Sequence, residues 1–215
     1  MKAHHLLARA FQEDPFIRWA EPDDDRRPRT MGRVFGGMLA YARGCGGHVF
    51  EPEVGSVHWR DGGSATMGPF SVVTSGTWSV ALVAPPSVWL RLSTHEDAAM
   101  ARVQPFLGTG SVYLCTLGVE PGVAGQGHGS RLLRRALAEM GRRWTNCVLR
   151  TEQPRNIPFY LRNGFRQVDE EVVPESGLRV WVFSRPLESL RCTCTGSLRR
   201  LACGPECPSA FRTGD

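Results

Sequence analysis

An α/β fold is predicted for this chain from three observations. Between about residue 111 and residue 187 the pattern runs strand, helix, strand, helix, strand, strand, the alternation that builds a sheet covered by helices. The first of these strands, GSVYLCTLGV, passes straight into a glycine-rich turn and then a leucine- and arginine-bearing helix. After Pro186 the periodicity stops, which sets the end of the globular part near Leu187.

The elements follow in order. HHLLARAFQEDPF carries Leu6, Leu7, Ala10 and Phe11 at helical spacing, with Asp14-Pro15 read as its stop. After the acidic turn EPDDD, a second helix is predicted from about Arg29 to Ala42, with Met31, Val34, Phe35, Met38 and Leu39 on one face and Gly44 closing it. GHVFEPE and VGSVHWRDG alternate as short strands, with a turn at Gly62-Gly63. Residues 66–107 are apolar without clean period and are broken by Pro85-Pro86; they read as a helical insertion over the core. Within it THEDAAMARVQPF is a helix capped by Thr94. The later half gives a helix from about Gly127 to Arg142, the strand NCVLRTE, and a short helix in PRNIPFYLRNGF ended by Asn163-Gly164. A closing hairpin turns around Pro174–Gly177.

At 215 residues, 41% hydrophobic and 22% charged, the chain has the composition of a soluble domain with its own core. No apolar run reaches membrane-spanning length and MKAHHLLARAF is no secretory signal, so a cytoplasmic protein with no membrane partner is expected. The net charge is +5, but only Lys2 is lysine and the arginines are dispersed. Arg131, Arg134, Arg135, Arg142 and Arg143 share one predicted helix, which reads as a solvated face, and no nucleic-acid partner is expected. Of seven cysteines, Cys45, Cys115 and Cys147 read as small buried hydrophobes, and Cys192, Cys194, Cys203 and Cys207 crowd residues 188–215. Their CxC and CxxxC spacing is a weak zinc signal beside a disordered tail with reactive thiols, so no metal is assigned.

VEPGVAGQGHGSRLL carries the chemistry. It lacks the lysine of a phosphate-binding P-loop, and Gly125, Gly127 and Gly129 give GxGxG rather than a dinucleotide fingerprint. Glycines still let successive amides converge on an anion, and the helix start adds unpaired N–H groups and a positive dipole end. That suits a pyrophosphate. A plain tight turn between strand and helix is the other reading.

With these residues in view, LGVEPGVAGQGHGSRLL resembles the acetyl-CoA motif of the GNAT superfamily of N-acetyltransferases, [QR]xxGx[GA] after a strand. Ala124 falls where arginine or glutamine is usual, and Gly127 and Gly129 fall on the small positions. TEQPRNIPFYLRNGF is similar to a later family motif, putting Asn156 on the asparagine that holds the cofactor arm and Tyr160 on the tyrosine near the sulfur. From the residues alone, Tyr160 also fits a core aromatic beside Phe159. The blocks PRNIPFY, EVVPESGLRVW and SVYLCTLGV are most similar to the puromycin N-acetyltransferase-like group. Three departures are read against it: the family's first strand is expected to be absent, Arg150 stands where glutamate is usual, and the cysteine tail has no counterpart.

The resemblance implies an α+β acetyltransferase fold over residues 1–187, with a mixed sheet splayed at the acetyl-CoA site. It implies backbone pairing of Leu117, Gly118 and Val119 with the cofactor arm, Val119 also polarising the thioester. Residues Ala124, Gly125, Gln126, Gly127, His128, Gly129 and Ser130 surround the pyrophosphate, and Tyr160 protonates the leaving thiolate. The acceptor is a small-molecule primary amine, and the protein a monomer or homodimer. Glu152, Glu53 and His58 are candidates for the base, and Arg150 is a possible sign of an acceptor carrying an anionic group. Phe11–Arg33 and the segment with Trp78 and Trp89 are expected to select the acceptor. A non-catalytic acyl-CoA sensor is the alternative.

Overall fold

A computed structural model of the protein describes residues 2–65 and 69–187. Cys192, Cys194, Cys203 and Cys207 lie outside the described residues. The described chain starts with three helices: α1 (Ala3–Ala10), α2 (Pro15–Ala20) and α3 (Arg27–Cys45). Leu7 and Ala8 of α1, Ile17 of α2, and Met31 and Phe35 of α3 are buried together, the face expected from their spacing. Asp14-Pro15 is the start of α2 rather than the stop of α1. Its carboxylate oxygen accepts from the amides of Phe16 (3.0 Å) and Ile17 (3.3 Å), and proline at the first helical position needs no donor there.

A six-stranded mixed sheet follows: β1 (Gly46–Glu51), β2 (Gly55–Asp61), β3 (Ser111–Val119), β4 (Asn146–Thr151), β5 (Arg166–Val173) and β6 (Leu178–Pro186), in the order β1-β2-β3-β4-β6-β5. The pair β3–β4 is parallel and every other pair is antiparallel. No strand precedes α1 among the described residues. Between β2 and β3 lie α4 (Pro69–Thr74) and α5 (Pro86–Val103). Thr94, expected to cap a helix, sits inside α5 and bonds back to the carbonyl of Leu90 at 2.8 Å. The helix starts at Pro86 because the second proline of Pro85-Pro86 occupies the first turn.

Helices cover both faces of the sheet. α6 (His128–Met140) lays Leu132, Leu133, Ala136, Leu137 and Met140 against Val57, Trp59, Val112, Leu114 and Leu149. On the other face Ala99, Met100 and Val103 of α5 pack on Tyr113, Val148, Val180 and Val182. The short α7 (Ile157–Arg162) ends at Asn163-Gly164, with Gly164 at φ 81°. The β5–β6 hairpin turns through Gly177 at φ 67°, as its sequence predicts.

One irregularity shapes the middle of the sheet. His58 pairs with Thr116 and Trp59 with Leu114, so Cys115 is an extra residue in β3. A bulge of this kind bends its strand and resets the side-chain alternation. Val112 and Leu114 face α6 before it, and Leu117 and Val119 face α6 after it. The parallel pairing with β4 covers only Ser111, Val112 and Tyr113. Beyond that point the two strands part.

The helical layer is tied together by a buried arginine. Arg27 is 2% exposed, and it donates to the carbonyls of Glu21 (2.8 Å) and Pro22 (3.1 Å). Replacing Arg27 by Met should leave these acceptors unpaired and lower stability by about 1–3 kcal/mol. The expected signature is a lower urea midpoint with an unchanged slope.

Candidate functional site

The site grows from the gap between β3 and β4. Glu120 N–H is donated to Val54 O at 2.9 Å, on the β2 side of the strand. Alternation then directs the backbone of Gly118 toward β2 and that of Leu117 and Val119 toward the gap. Leu117 and Val119 therefore offer an unpaired strand edge, the condition for strand-like pairing with an extended ligand arm. Gly118 has a different task. A Cβ there would lie 2.7 Å from Leu7 and 3.1 Å from Ala10, so its glycine lets α1 approach the sheet. Arg9 of α1 then pairs with Glu120 through two bonds of 2.9 and 2.7 Å.

Past Glu120 the chain makes a 3-10 turn over Pro121–Val123 and reaches the glycines. Gly125 and Gly127 are left-handed, at φ 80° and 82°, with open space where a Cβ would stand. Gly127 is the N-cap of α6, and no side chain caps this helix. The amides of His128, Gly129 and Ser130 thus point out of the first turn, with the positive dipole end behind them. Ala124 N–H is already donated to Pro121 O at 3.2 Å, so the amides left for an anion run from Gly125 to Ser130. Gly129 sits against Phe159 and Val119, and Ser130 accepts from Asn163 at 3.2 Å; both fasten α6 to α7. The His128 ring bonds Arg131 at 3.2 Å, and Gln126 is exposed. The arginine-rich face of α6 is solvated, with Arg131 bonded to Glu51 at 2.7 Å.

A cavity of about 270 Å³ adjoins the gap. Leu117, Thr151, Asn156 and Tyr160 are among its lining, together with Phe11 and with residues of α2, α3 and α5 such as Phe16, Phe35 and Trp89. Asn156 donates to Thr151 Oγ1 at 3.1 Å, closing the end of β4. Tyr160 is buried against Phe159, Phe165 and Phe183, with ring centroids 5.2–5.8 Å apart. Burial pushes its phenol above the usual value, so it is a protonated donor at neutral pH. Trp89 lines the cavity, whereas Trp78 is 51% exposed and does not.

The lining also holds a charge network. Arg150 donates to Glu152 Oε1 at 2.8 Å, to the Tyr113 hydroxyl at 3.1 Å, and to Glu96. Glu152 also meets His95 Nε2 at 3.4 Å, while His95 Nδ1 bonds Ser176 at 2.9 Å. Burial alone would raise the Glu152 carboxyl, but the Arg150 charge and the bond to His95 hold it below its usual value. Arg150 is thus paired with two carboxylates.

The base candidates sort themselves by place. Glu53 is exposed in the β1–β2 turn, at φ 63°. His58 is buried between Ser56 Oγ (3.1 Å) and Thr116 Oγ1 (2.8 Å), and burial lowers its pKa to about 3; it is a neutral structural group. Glu152 lines the cavity but is ion-paired. The sequence reading missed Asp14, Glu96 and His95, which reach this wall from α2 and α5. For Asp14 a signal existed, since aspartate before proline is an N-cap pattern as well as a stop.

Arg150 and Glu152 are each 9% exposed at the side chain. Arg150→Met should therefore strand buried carboxylate charge and lower stability by about 3–5 kcal/mol. Lowering the pH should narrow the gap to the unaltered protein, because Glu152 then protonates in the variant, and adding Glu152→Gln should recover part of the loss. Chemical denaturation of the single and double variants checks both.

Residues 85–167, from the start of α5 to the first residues of β5, match the acetyltransferase (GNAT) domain. Among solved structures, a protein from Agrobacterium tumefaciens described as an acetyltransferase is 25% identical, over 37% of this chain and 58% of its own, with a TM-score of 0.35. Nourseothricin acetyltransferase is 20% identical over 36% of this chain and 50% of its own, with a TM-score of 0.33. The ribosomal-protein-S18-alanine N-acetyltransferase of Escherichia coli is 16% identical over 42% and 63%, with a TM-score of 0.34. This chain thus spans between half and two thirds of the length of these three. With its mixed, unclosed sheet parted between β3 and β4, the fold is that of the GNAT acetyltransferases.

Proposed function

We propose that the protein is an acetyl-CoA-dependent N-acetyltransferase acting on a primary amine of a small molecule. The observation that carries this reading is the continuity of three features. An uncapped helix start with left-handed glycines opens onto an unpaired β3 edge, and that edge opens onto a cavity walled by Tyr160 and by carboxylates. A sensor would need only the first two.

The amides of Gly125 to Ser130 hold the pyrophosphate without a basic side chain, so alanine at position 124 removes a contact and keeps the cradle. Leu117 and Val119 bind the pantetheine arm along the strand edge, and Asn156 holds the same arm from the β4 side. The co-substrate supplies a thioester carbonyl, which Val119 N–H polarises. Cavity and strand edge together fix the amine against that carbonyl, and positioning of this kind supplies up to ~7–11 kcal/mol. Tyr160 gives its proton to the departing sulfur.

The carboxylates of Asp14, Glu96, Asp97 and Glu152 line the cavity against the guanidinium groups of Arg60 and Arg150. That excess of negative charge favours a cationic acceptor, and Phe11, Phe16 and Trp89 favour an apolar or aromatic body behind it. The reading takes residues 1–187 as one acetyltransferase domain in a cytoplasmic protein, monomer or homodimer, and keeps the narrower likeness to the puromycin N-acetyltransferase-like group. No helix among the described residues is long and apolar enough to cross a membrane.

Acetyl-CoA at 100-fold above its Kd should stabilise the protein by about 2.7 kcal/mol in a thermal-shift titration. No shift at millimolar acetyl-CoA would overturn the reading. With an accepted amine, Tyr160→Phe should lower kcat roughly 10²–10⁴-fold while leaving the acetyl-CoA shift in place, measured by thiol release. An unchanged kcat would remove Tyr160 from the chemistry.

A further inference from the structure

We infer that Asp14 is the group that receives the acceptor's ammonium and takes its proton before transfer. The inference rests on the acetyltransferase reading and names a residue which that reading leaves open. An ammonium has no lone pair, so a proton acceptor must stand in the acceptor cavity, within reach of the carbonyl held at Val119.

Geometry selects Asp14 from the carboxylates of that cavity. It sits at the turn between α1 and α2 and lines the cavity together with Tyr160. Both of its backbone bonds, from Phe16 and Ile17, are made to Oδ1. The second oxygen, Oδ2, is left for the cavity, since no buried side-chain oxygen among the described residues lacks a partner. Glu152 and Glu96 are engaged by Arg150, so their charge is already answered. Asp97, the remaining carboxylate of the lining, is exposed on α5, whereas Asp14 is half-buried and has no cation bonded to it among the described residues.

Electrostatics separates the carboxylates in the same sense. Burial first, and then the negative charge of Glu152, raise the Asp14 carboxyl to about 7, against the two amide bonds and the more distant Arg150. Glu152 is held low by Arg150 and His95. Two carboxylates whose surroundings drive them apart divide into a base poised near neutrality and a permanent anion. The groups around Asp14 come from each neighbouring element: Glu152 and Arg150 at the end of β4, His95, Glu96 and Asp97 on α5, and Tyr160 on α7.

The protons balance. The ammonium gives one proton to the Asp14 carboxylate, and the freed amine forms its C–N bond as the C–S bond breaks. Tyr160 protonates the sulfur, and the second nitrogen proton leaves through water that restores Tyr160. Asp14 returns its proton to solvent, so one proton is released per amide formed.

Asp14→Asn is the informative change, because asparagine caps α2 as aspartate does and removes only the base. Asp14→Ser, another capping residue, serves as the second variant. With acetyl-CoA and a panel running from 2-phenylethylamine to aminoglycosides and polyamines, the unaltered protein should show an acidic limb in kcat/KM near pH 7. Both variants should lose that limb and fall roughly 10²–10⁴-fold at pH 7. The deficit should shrink as the pH approaches the pKa of the acceptor's ammonium, and the acetyl-CoA thermal shift should not change. A readout independent of turnover is the melting temperature. Asp14 has a raised folded-state pKa, so its stabilising contribution is present below the unfolded value near 4 and is lost as pH rises through about 7. The difference in melting temperature between the unaltered protein and the Asp14→Asn variant should therefore change across that window. Variants that keep the acidic limb and full kcat/KM, while the unaltered protein turns over, overturn the Asp14 assignment alone. Absence of turnover by the unaltered protein with every amine overturns the acetyltransferase reading beneath it.

Discussion

The extra residue at Cys115 is the constraint on which the rest of the molecule depends. It adds one position to β3 opposite β2, and β3 leaves β4 directly after the last shared pair, Tyr113 with Val148. A strand that stayed paired to its end would take the amides of Leu117 and Val119 into the ladder, and no open edge would remain. The bulge is held from the side by Arg60, which donates to the Cys115 sulfur at 3.0 Å and lies over the rings of Tyr41 and Tyr113. Burial raises the Cys115 thiol, with Arg60 working against it. Cys115 thus acts as a small polarizable filler beside a buried cation.

The bulge also decides what each face of the sheet can offer. Before it, Tyr113 faces α5 and meets Arg150 from β4; after it, Leu117 and Val119 join the core beneath α6. The same strand therefore contributes a wall of the polar cavity and a floor for the glycine turn. The helices α2 and α3 wall the cavity, while Gly118 lets α1 come near the sheet and Arg27 bonds the turns of the layer together. Charge and shape are then coupled. The Arg150–Glu96 pair joins α5 to β4, so the cavity's field cannot be altered without loosening its wall.

Much of this was legible in the residues. Local signals gave the strand–turn–helix around Gly127, the hairpin at Gly177, and the apolar faces of α3 and α6, because each depends on the conformation or spacing of nearby residues. The left-handed glycines and the uncapped start of α6 were legible for the same reason. Thr94 misled because a hydroxyl suited to capping is equally able to bond back within a helix. Asp14 misled because a stop for one helix and a cap for the next share the same two residues.

The sequence by itself therefore determined the alternation of strands and helices from β3 onward, the conformation of the glycine turn and the class of fold, all set by short-range preferences of backbone and side chain. The tertiary structure alone decided which ionisable groups meet. Arg150 and Glu96 stand 54 positions apart and His95 and Glu152 stand 57, and Asp14 reaches the same cavity from the other end of the chain. A charge is shifted by its neighbours in space and its burial, neither of which any local pattern encodes. That is why short motifs carried the glycine turn, while the pairing of Arg150 with Glu96 and Glu152 emerged only once the chain was folded.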